Sequence, residues 1–255
     1  MIKKLSKKAS LLSALVLTMA LFAGCSNEKE NQKVADIEVK TIATKELQDK
    51  LSDDSWVVVD TRINDAFNGW KLDEVERGGH IKGAVDFSAN WLTVDSKDKE
   101  KTLDKALETK GIEKDKNIVL YDANGKDAKE VANYLSEKGY KNLYTYNVAD
   151  WAKDESLPME SYENYEMIVP ATIVNDILDG KKPETFENSK NIKIVEASWG
   201  EESEAYSKGH VPTSVHINTD TVEPPPQWML ASDEELAKFA NDYGFTKDDT
   251  VIVTG

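Results

Sequence analysis

Three stretches of this chain occur twice, in the same order. GIEKDKNIVLYD at 111–122 is matched by GFTKDDTVIVTG at 244–255, and GGHIKGAVDF at 78–87 by KGHVPTSVHI at 208–217. WVVVDTR at 56–62 is matched more loosely by IKIVEAS at 192–198. The spacing nearly agrees: His80 to Asp115 is 35 residues, His210 to Asp248 is 38. Recurrence of whole elements means that one architecture is built twice. A length of 255 residues accommodates two ordinary domains. The junction falls in PMESYENY, with 158–164 as the expected linker.

The first copy alternates strand and helix. Trp56-Val57-Val58-Val59-Asp60 is a continuous apolar run, as expected for a parallel strand covered on both faces. Ile118–Tyr121 reads as a buried strand in the same way, and Leu143–Tyr146 as another strand. Residues 42–51, 103–110 and 128–138 have helical spacing, with Thr44 a candidate N-cap and Gly139 a candidate helix stop. This alternation predicts an α/β fold with a mostly parallel sheet flanked by helices.

A short loop at 122–127 joins the strand at 118–121 to the helix near Ala128. A tight strand–loop–helix turn aims backbone N–H groups at whatever sits in the loop, which suits an anion or a nucleophile. The residue at its mouth is Asp122. A fixed carboxylate there is a built-in anion that caps the helix, with Asn124 and Gly125 supplying the turn. The competing expectation is that Asp122 and Asp127 together activate water or hold a cation.

The chain carries 47 acidic and 32 basic residues, a formal charge of −15. That balance argues against a nucleic-acid partner, whose phosphates it would repel. Lys3, Lys4, Lys7 and Lys8 precede an apolar stretch, 9–22, that is short for a membrane span. The stretch ends in Leu21-Phe22-Ala23-Gly24-Cys25, which resembles a bacterial lipoprotein signal. The resemblance implies cleavage before Cys25, lipid on its sulfur, and an exported chain anchored to the outer face of the cell membrane. Cys25 is the single cysteine, so lipidation would leave no free thiol and no cysteine metal site. The histidines His80, His210 and His216 lack helical ligand spacing, so no metal is expected. No cofactor is expected either.

The motifs VVVDTR at 57–62, GGHIKGAVDF at 78–87, IVLYDANGKDAKEVANYLSEKGYKNLY at 118–144 and NVADWAKDESLP at 147–158 together resemble the rhodanese family of sulfurtransferases, in its tandem two-domain form. There the pieces read D-x-R, G-H-I-x-G-A, Y-C-x-x-G-x-R with its helix, and G-G-x-x-x-W. The resemblance covers 41–158 in full and 165–255 in part. It implies a persulfide relay in which a loop cysteine carries sulfane sulfur. Here the cysteine position holds Asp122, and the loop arginine position holds Asp127; Gly125 and Tyr121 match. A carboxylate is a hard, weak nucleophile and cannot carry sulfane sulfur, so the first copy is expected to be inactive.

The other singled-out residues have structural expectations. Asp60 and Arg62 pair with each other or with loop backbone. His80 packs beside its glycines and bonds a backbone group. Trp91, Trp151, Trp199 and Trp228 fill the core or a domain interface. Pro224-Pro225-Pro226 makes a stiff surface connection.

The expected map is a signal peptide at 1–24, a tether at 25–40, a cysteine-free rhodanese-like domain at 41–157, the linker, and a second rhodanese-like domain at 165–255, incomplete at its C-terminus. Gly255 aligns with Asp122, so the chain stops where the second loop would begin. A fragment, an early stop and a recoded codon all fit that ending. Sulfur transfer would then depend on the second loop. The alternative is a non-catalytic surface module that binds a protein or a small anion through Arg62, Asp122, Asn124, Gly125, Lys126 and Asp127.

Overall fold

The computed structural model describes residues 38–200 and 204–255. The signal peptide, Cys25 and the tether up to residue 37 lie outside the described residues.

The first sheet contains β1 (Lys40–Thr41), β2 (Trp56–Asp60), β4 (Val85–Asp86), β5 (Asn117–Asp122) and β6 (Leu143–Asn147). Its order is β1-β6-β5-β2-β4, and every pairing is parallel. Side chains alternate between two cores. Ile118 and Leu120 enter one with Val59, beside Leu103 and Leu107 of α3 (Lys99–Thr109) and Val131 and Leu135 of α4 (Asp127–Glu137). Val119 and Tyr121 enter the other with Val58, beside Leu47 of α1 (Thr44–Lys50) and Trp151 of α5 (Val148–Ala152). Double-sided burial is why β2 and β5 are apolar without a break. Each such side chain contributes about 1.5–3 kcal/mol.

The helix stop at Gly139 is as expected. Its φ is +87°, and the N–H of Tyr140 reaches the Leu135 carbonyl at 3.0 Å, closing a Schellman turn. The expected cap at Thr44 is not formed. Ala43 is the N-cap residue and has no side-chain bond, while Thr44 is already helical, its hydroxyl 2.9 Å from that of Tyr146. A tertiary hydroxyl partner replaced the local one.

The segment expected as a linker is built into the fold. β7 (Met159–Glu160) pairs antiparallel with β3 (His80–Ile81). β7 lies on a glycine, since a Cβ on Gly79 would overlap the Glu160 carbonyl; further on, a Cβ on Gly69 would overlap the Tyr165 ring. Just before β3, Arg77 donates to the carbonyls of Trp151, Ala152, Asp154 and Leu157 at 2.8–2.9 Å, tying down the end of α5. The short α2 (Asn64–Asn68) leads to Trp70, which packs with Ile173 of α6 (Ala171–Leu178), Phe186, Ile194 and Ile252.

The second sheet is β10-β8-β9, from β8 (Asn191–Ser198), β9 (Val215–Asn218) and β10 (Asp249–Thr254), again all parallel. α7 (Glu204–Lys208) and α8 (Asp233–Asp242) accompany it. The registers coincide with the sequence repeat residue for residue. Trp56 faces Asn117 and Ile192 faces Thr250; Val59 faces Val85 and Val195 faces Val215. Two aromatic expectations fail. Trp151 is fully buried and Trp91 packs at the core edge, but Trp199 is 73% exposed and Trp228 52%. Both lie in loops of the second half, whose described elements leave them uncovered. Among the described residues, no helix is long and apolar enough to cross a membrane.

Candidate functional site

β5 delivers Asp122 to the sheet's carboxyl edge, where α/β folds gather their functional groups. Its side chain is 1% exposed. One oxygen accepts from the N–H of Gly125 at 3.0 Å, and the other from Ala128 at 2.9 Å. Asn124 takes the donors between them: its Oδ1 accepts from Lys126 at 2.8 Å and Asp127 at 3.2 Å. Its amide donates to the Asp127 carboxylate at 3.2 Å. Gly125, at φ +70°, supplies the left-handed turn that lets the chain double back. The N–H groups of residues 125–128 are therefore all engaged by two side chains of the same loop.

The charge here is also wrong for an anion. Burial raises the Asp127 carboxyl above its ordinary range; the Asn124 amide opposes this, and the Asp122 and Asp73 carboxylates add to it. Of the residues expected to bind together, Asp122, Asn124, Gly125, Lys126 and Asp127 share the loop, but Lys126 and Gly125 enter through backbone N–H groups.

Arg62 is not part of that loop's chemistry. It is 1% exposed and grips Asp60, Nε to Oδ1 at 3.0 Å and Nη2 to Oδ2 at 2.6 Å. Nη2 also donates to the Gly79 carbonyl at 2.7 Å. Burial opposes its charge, yet the Asp60 carboxylate more than offsets this and holds the guanidinium above its usual value. Tyr121 lies 5.6 Å beneath it. Burial, with the Asp60 charge, pushes the Tyr121 phenol well up, so it stays neutral; its oxygen accepts from the N–H of Ile81 at 3.2 Å. His80 bonds the Phe67 carbonyl through Nδ1 at 2.7 Å and stacks on that ring at 3.8 Å. These residues form a buried brace, as the sequence led one to expect for Asp60, Arg62 and His80.

A cleft of about 520 Å³ opens beside the loop, with Asp122, Gly125, Lys129, Asn133 and Asn147 on its walls. Lys129 and Asn133 were not singled out from the sequence. Their four-residue spacing places Lys129 and Asn133 on one face of α4, a signal that was available. At the matching edge of the second sheet, the Ser198 hydroxyl lies 2.6 Å from His216 Nε2. Ser198 occupies the repeat position of Arg62, so the brace of the first sheet is not reproduced there.

The family profile of the rhodanese-like domain matches residues 43–151. Thiosulfate sulfurtransferase YnjE of Escherichia coli K12 is 26% identical over 249 residues, covering 98% of this chain and 53% of that protein. The anaerobic ergothioneine biosynthesis enzyme from Chlorobium limicola, bound to its natural substrate trimethyl histidine, superposes with a TM-score of 0.73 at 30% identity, covering 84% of this chain and 49% of that one. EanB in its wild-type form gives 0.74 at 29% identity over 84% of this chain. The chain spans about half the length of these relatives. Residues 43–151 match the rhodanese-like domain, and the parallel sheet with its flanking helices agrees with that likeness.

Proposed function

We propose that this chain is a sulfurtransferase-like surface lipoprotein whose first rhodanese-like domain is non-catalytic. The observation that carries the reading is the engagement of the loop by its own carboxylate. Asp122 stands where a sulfur carrier would have to stand, and it occupies the Gly125 and Ala128 donors that would stabilise a bound persulfide. The single cysteine of the 255 residues is Cys25, so none of the described residues is a cysteine. On this reading the signal at 1–24 exports the chain, lipid on Cys25 holds it to the membrane, and nucleic acid is not a partner.

We further read residues 165–255 as a second rhodanese-like repeat. The matched registers of β2 with β4 and β5, and of β8 with β9 and β10, support it. The activity in the name of YnjE, sulfur transfer, belongs to this chain only as a setting in which the first domain acts as a scaffold. The experiment is a thiosulfate–cyanide assay on the purified chain, with and without Cys25→Ser. The expected result is no thiocyanate above the blank in either form. Thiocyanate formation that survives Cys25→Ser would overturn the reading.

A further inference from the structure

We infer that Ser198 and His216 form a nucleophile–base pair on the second sheet that cleaves neutral carboxylic esters. The Ser198 hydroxyl lies 2.6 Å from His216 Nε2, and both residues are half-buried. Ser198 ends β8, the central strand of the order β10-β8-β9. The pair therefore stands at the carboxyl edge of a parallel sheet, where α/β folds gather their reactive groups. An imidazole at this distance can take the hydroxyl proton as the oxygen attacks, which is what turns a serine into a nucleophile.

The repeat isolates what is distinctive here. Asp60 faces Asp86 across the first sheet, and Glu196 faces His216 across the second. In the first sheet every group is committed: Asp60 holds Arg62, and Asp86 accepts from Lys110 and Asn64. The second sheet carries Ser198 at the position of Arg62 and His216 at that of Asp86. With the arginine gone, Glu196 makes no ion pair or side-chain hydrogen bond among the described residues. Register partners in parallel strands share a face, as do residues two apart, so Glu196, Ser198 and His216 lie on one side of the sheet. The Glu196 charge favours the imidazolium that forms when His216 takes the proton. Tyr206 of α7 steadies the ring from 5.4 Å; it stacks on His210 at 4.0 Å and donates to the Ser214 carbonyl at 2.9 Å. In the reaction Ser198 Oγ bonds to the ester carbonyl carbon, its proton passes to Nε2, and the alcohol leaves with that proton. Water then attacks the acyl-serine by the same route, its proton returning through Nε2 to Oγ, so ester and water give acid and alcohol. The uncommitted Glu196 and the net charge of −15 repel an anionic acyl donor, which leaves neutral esters.

A fluorophosphonate probe on the full chain with Cys25→Ser tests this. Attack by Oγ on phosphorus displaces fluoride, and the hydroxyl proton passes to His216. The expected result is one adduct, located on Ser198 by mass spectrometry and absent in Ser198→Ala. In His216→Gln, with an unchanged circular dichroism spectrum, it should form about a hundredfold more slowly. Hydrolysis of p-nitrophenyl acetate should depend on both residues in the same way. If His216→Gln fails to fold, Ser198→Cys reads the pair with its base in place. Its thiol should react with iodoacetamide at least about tenfold faster than that of Ser189→Cys, at a half-buried position outside the pair. The inference is overturned by a chain that gives no adduct on Ser198, by an unchanged adduct rate in folded His216→Gln, or by equal rates for the two thiols. Ester hydrolysis that is absent, or unchanged in Ser198→Ala, overturns it too. The thiosulfate–cyanide assay bears on none of these outcomes.

Discussion

The Asp122 carboxylate accepts from the Ala128 N–H at 2.9 Å, across the turn that starts α4. The bond joins the last residue of a central strand to the first turn of the helix packed on it. A carboxylate at a helix N-terminus is favoured by the aligned peptide dipoles. This one is 1% exposed and satisfies a second N–H, that of Gly125, with its other oxygen. Asp122→Ala removes both acceptors and leaves buried donors unmatched. It should cost about 1–3 kcal/mol. Urea titration followed by circular dichroism measures this, and a loss under a few tenths would show that the carboxylate does not hold the loop.

Restoring a sulfur nucleophile tests the same relationship from the chemical side. Asp122→Cys in a Cys25→Ser background places a thiol under the Gly125 and Ala128 donors. It leaves Asp127, and the Asp73 charge felt by it, beside the loop. Those carboxylates oppose both the thiolate and an anionic donor such as thiosulfate. The single variant should therefore give thiocyanate at least about tenfold more slowly than Asp122→Cys with Asp127→Arg, since one tenfold step needs only ~1.4 kcal/mol of barrier. Equal rates for the two variants would mean that the acidic surroundings do not matter.

Asp127 also predicts a pH dependence. Burial foremost, then the neighbouring Asp122 and Asp73 charges, hold its carboxyl above the ordinary value, against the Asn124 hydrogen bond. A raised carboxyl binds its proton more tightly when folded than when unfolded. Its contribution to stability is thus favourable in acid and is lost as pH rises from the unfolded value through the raised folded one. Asp127→Asn should be more stable than the wild type at neutral pH, by less than about 1 kcal/mol at this partly exposed site. The gain should vanish below the ordinary carboxylate range. Thermal melts of both proteins across that range give the comparison.

How far the sequence revealed the molecule depended on whether a residue's partner was near in sequence. β2 and β5 were legible because both faces of each are buried, which leaves an unbroken apolar run. Asp122 as a cap was legible because its donors lie three and six residues on. Asp60 and Arg62 were legible because they are two apart on one strand end. Thr44 was misread because Tyr146, 102 residues away, competes for its hydroxyl. Trp199 and Trp228 were misread because aromatic bulk signals burial only where other elements arrive to cover it. The strand at Met159–Glu160 was invisible because a two-residue pairing leaves no periodicity. Arg77 escaped notice for a related reason: its partners are carbonyls, which every residue has.

Arg77 therefore carries a prediction of its own. Its guanidinium spans the Trp151, Ala152, Asp154 and Leu157 carbonyls, acceptors where α5 ends and the chain turns toward β7. A lysine ammonium is a point donor and cannot span them. Arg77→Lys should lose about 1–3 kcal/mol and Arg77→Ala at least as much. Chemical denaturation ranks them, and a lysine variant as stable as the wild type would remove the argument from fork geometry.

The two glycines flanking β3 separate two effects that a single substitution would confound. Gly83 has φ +80° with open space where a Cβ would sit; Gly79 has φ +86°, and its Cβ would overlap the Glu160 carbonyl. Gly83→Ala therefore incurs only the left-handed backbone cost, about 1–2 kcal/mol. Gly79→Ala incurs a similar cost and must also push β7 off β3, adding about 1–3 kcal/mol of overpacking. The displacement would pull Tyr162 from Phe67 and His80, on which its ring stands edge-on at 5.8 and 6.0 Å. Hydrogen exchange should then show faster exchange at Ile81 and Met159 in Gly79→Ala, with little change in Gly83→Ala. Equal stability loss and equal exchange in the two variants would mean that the close approach of the 158–164 segment does not constrain the fold.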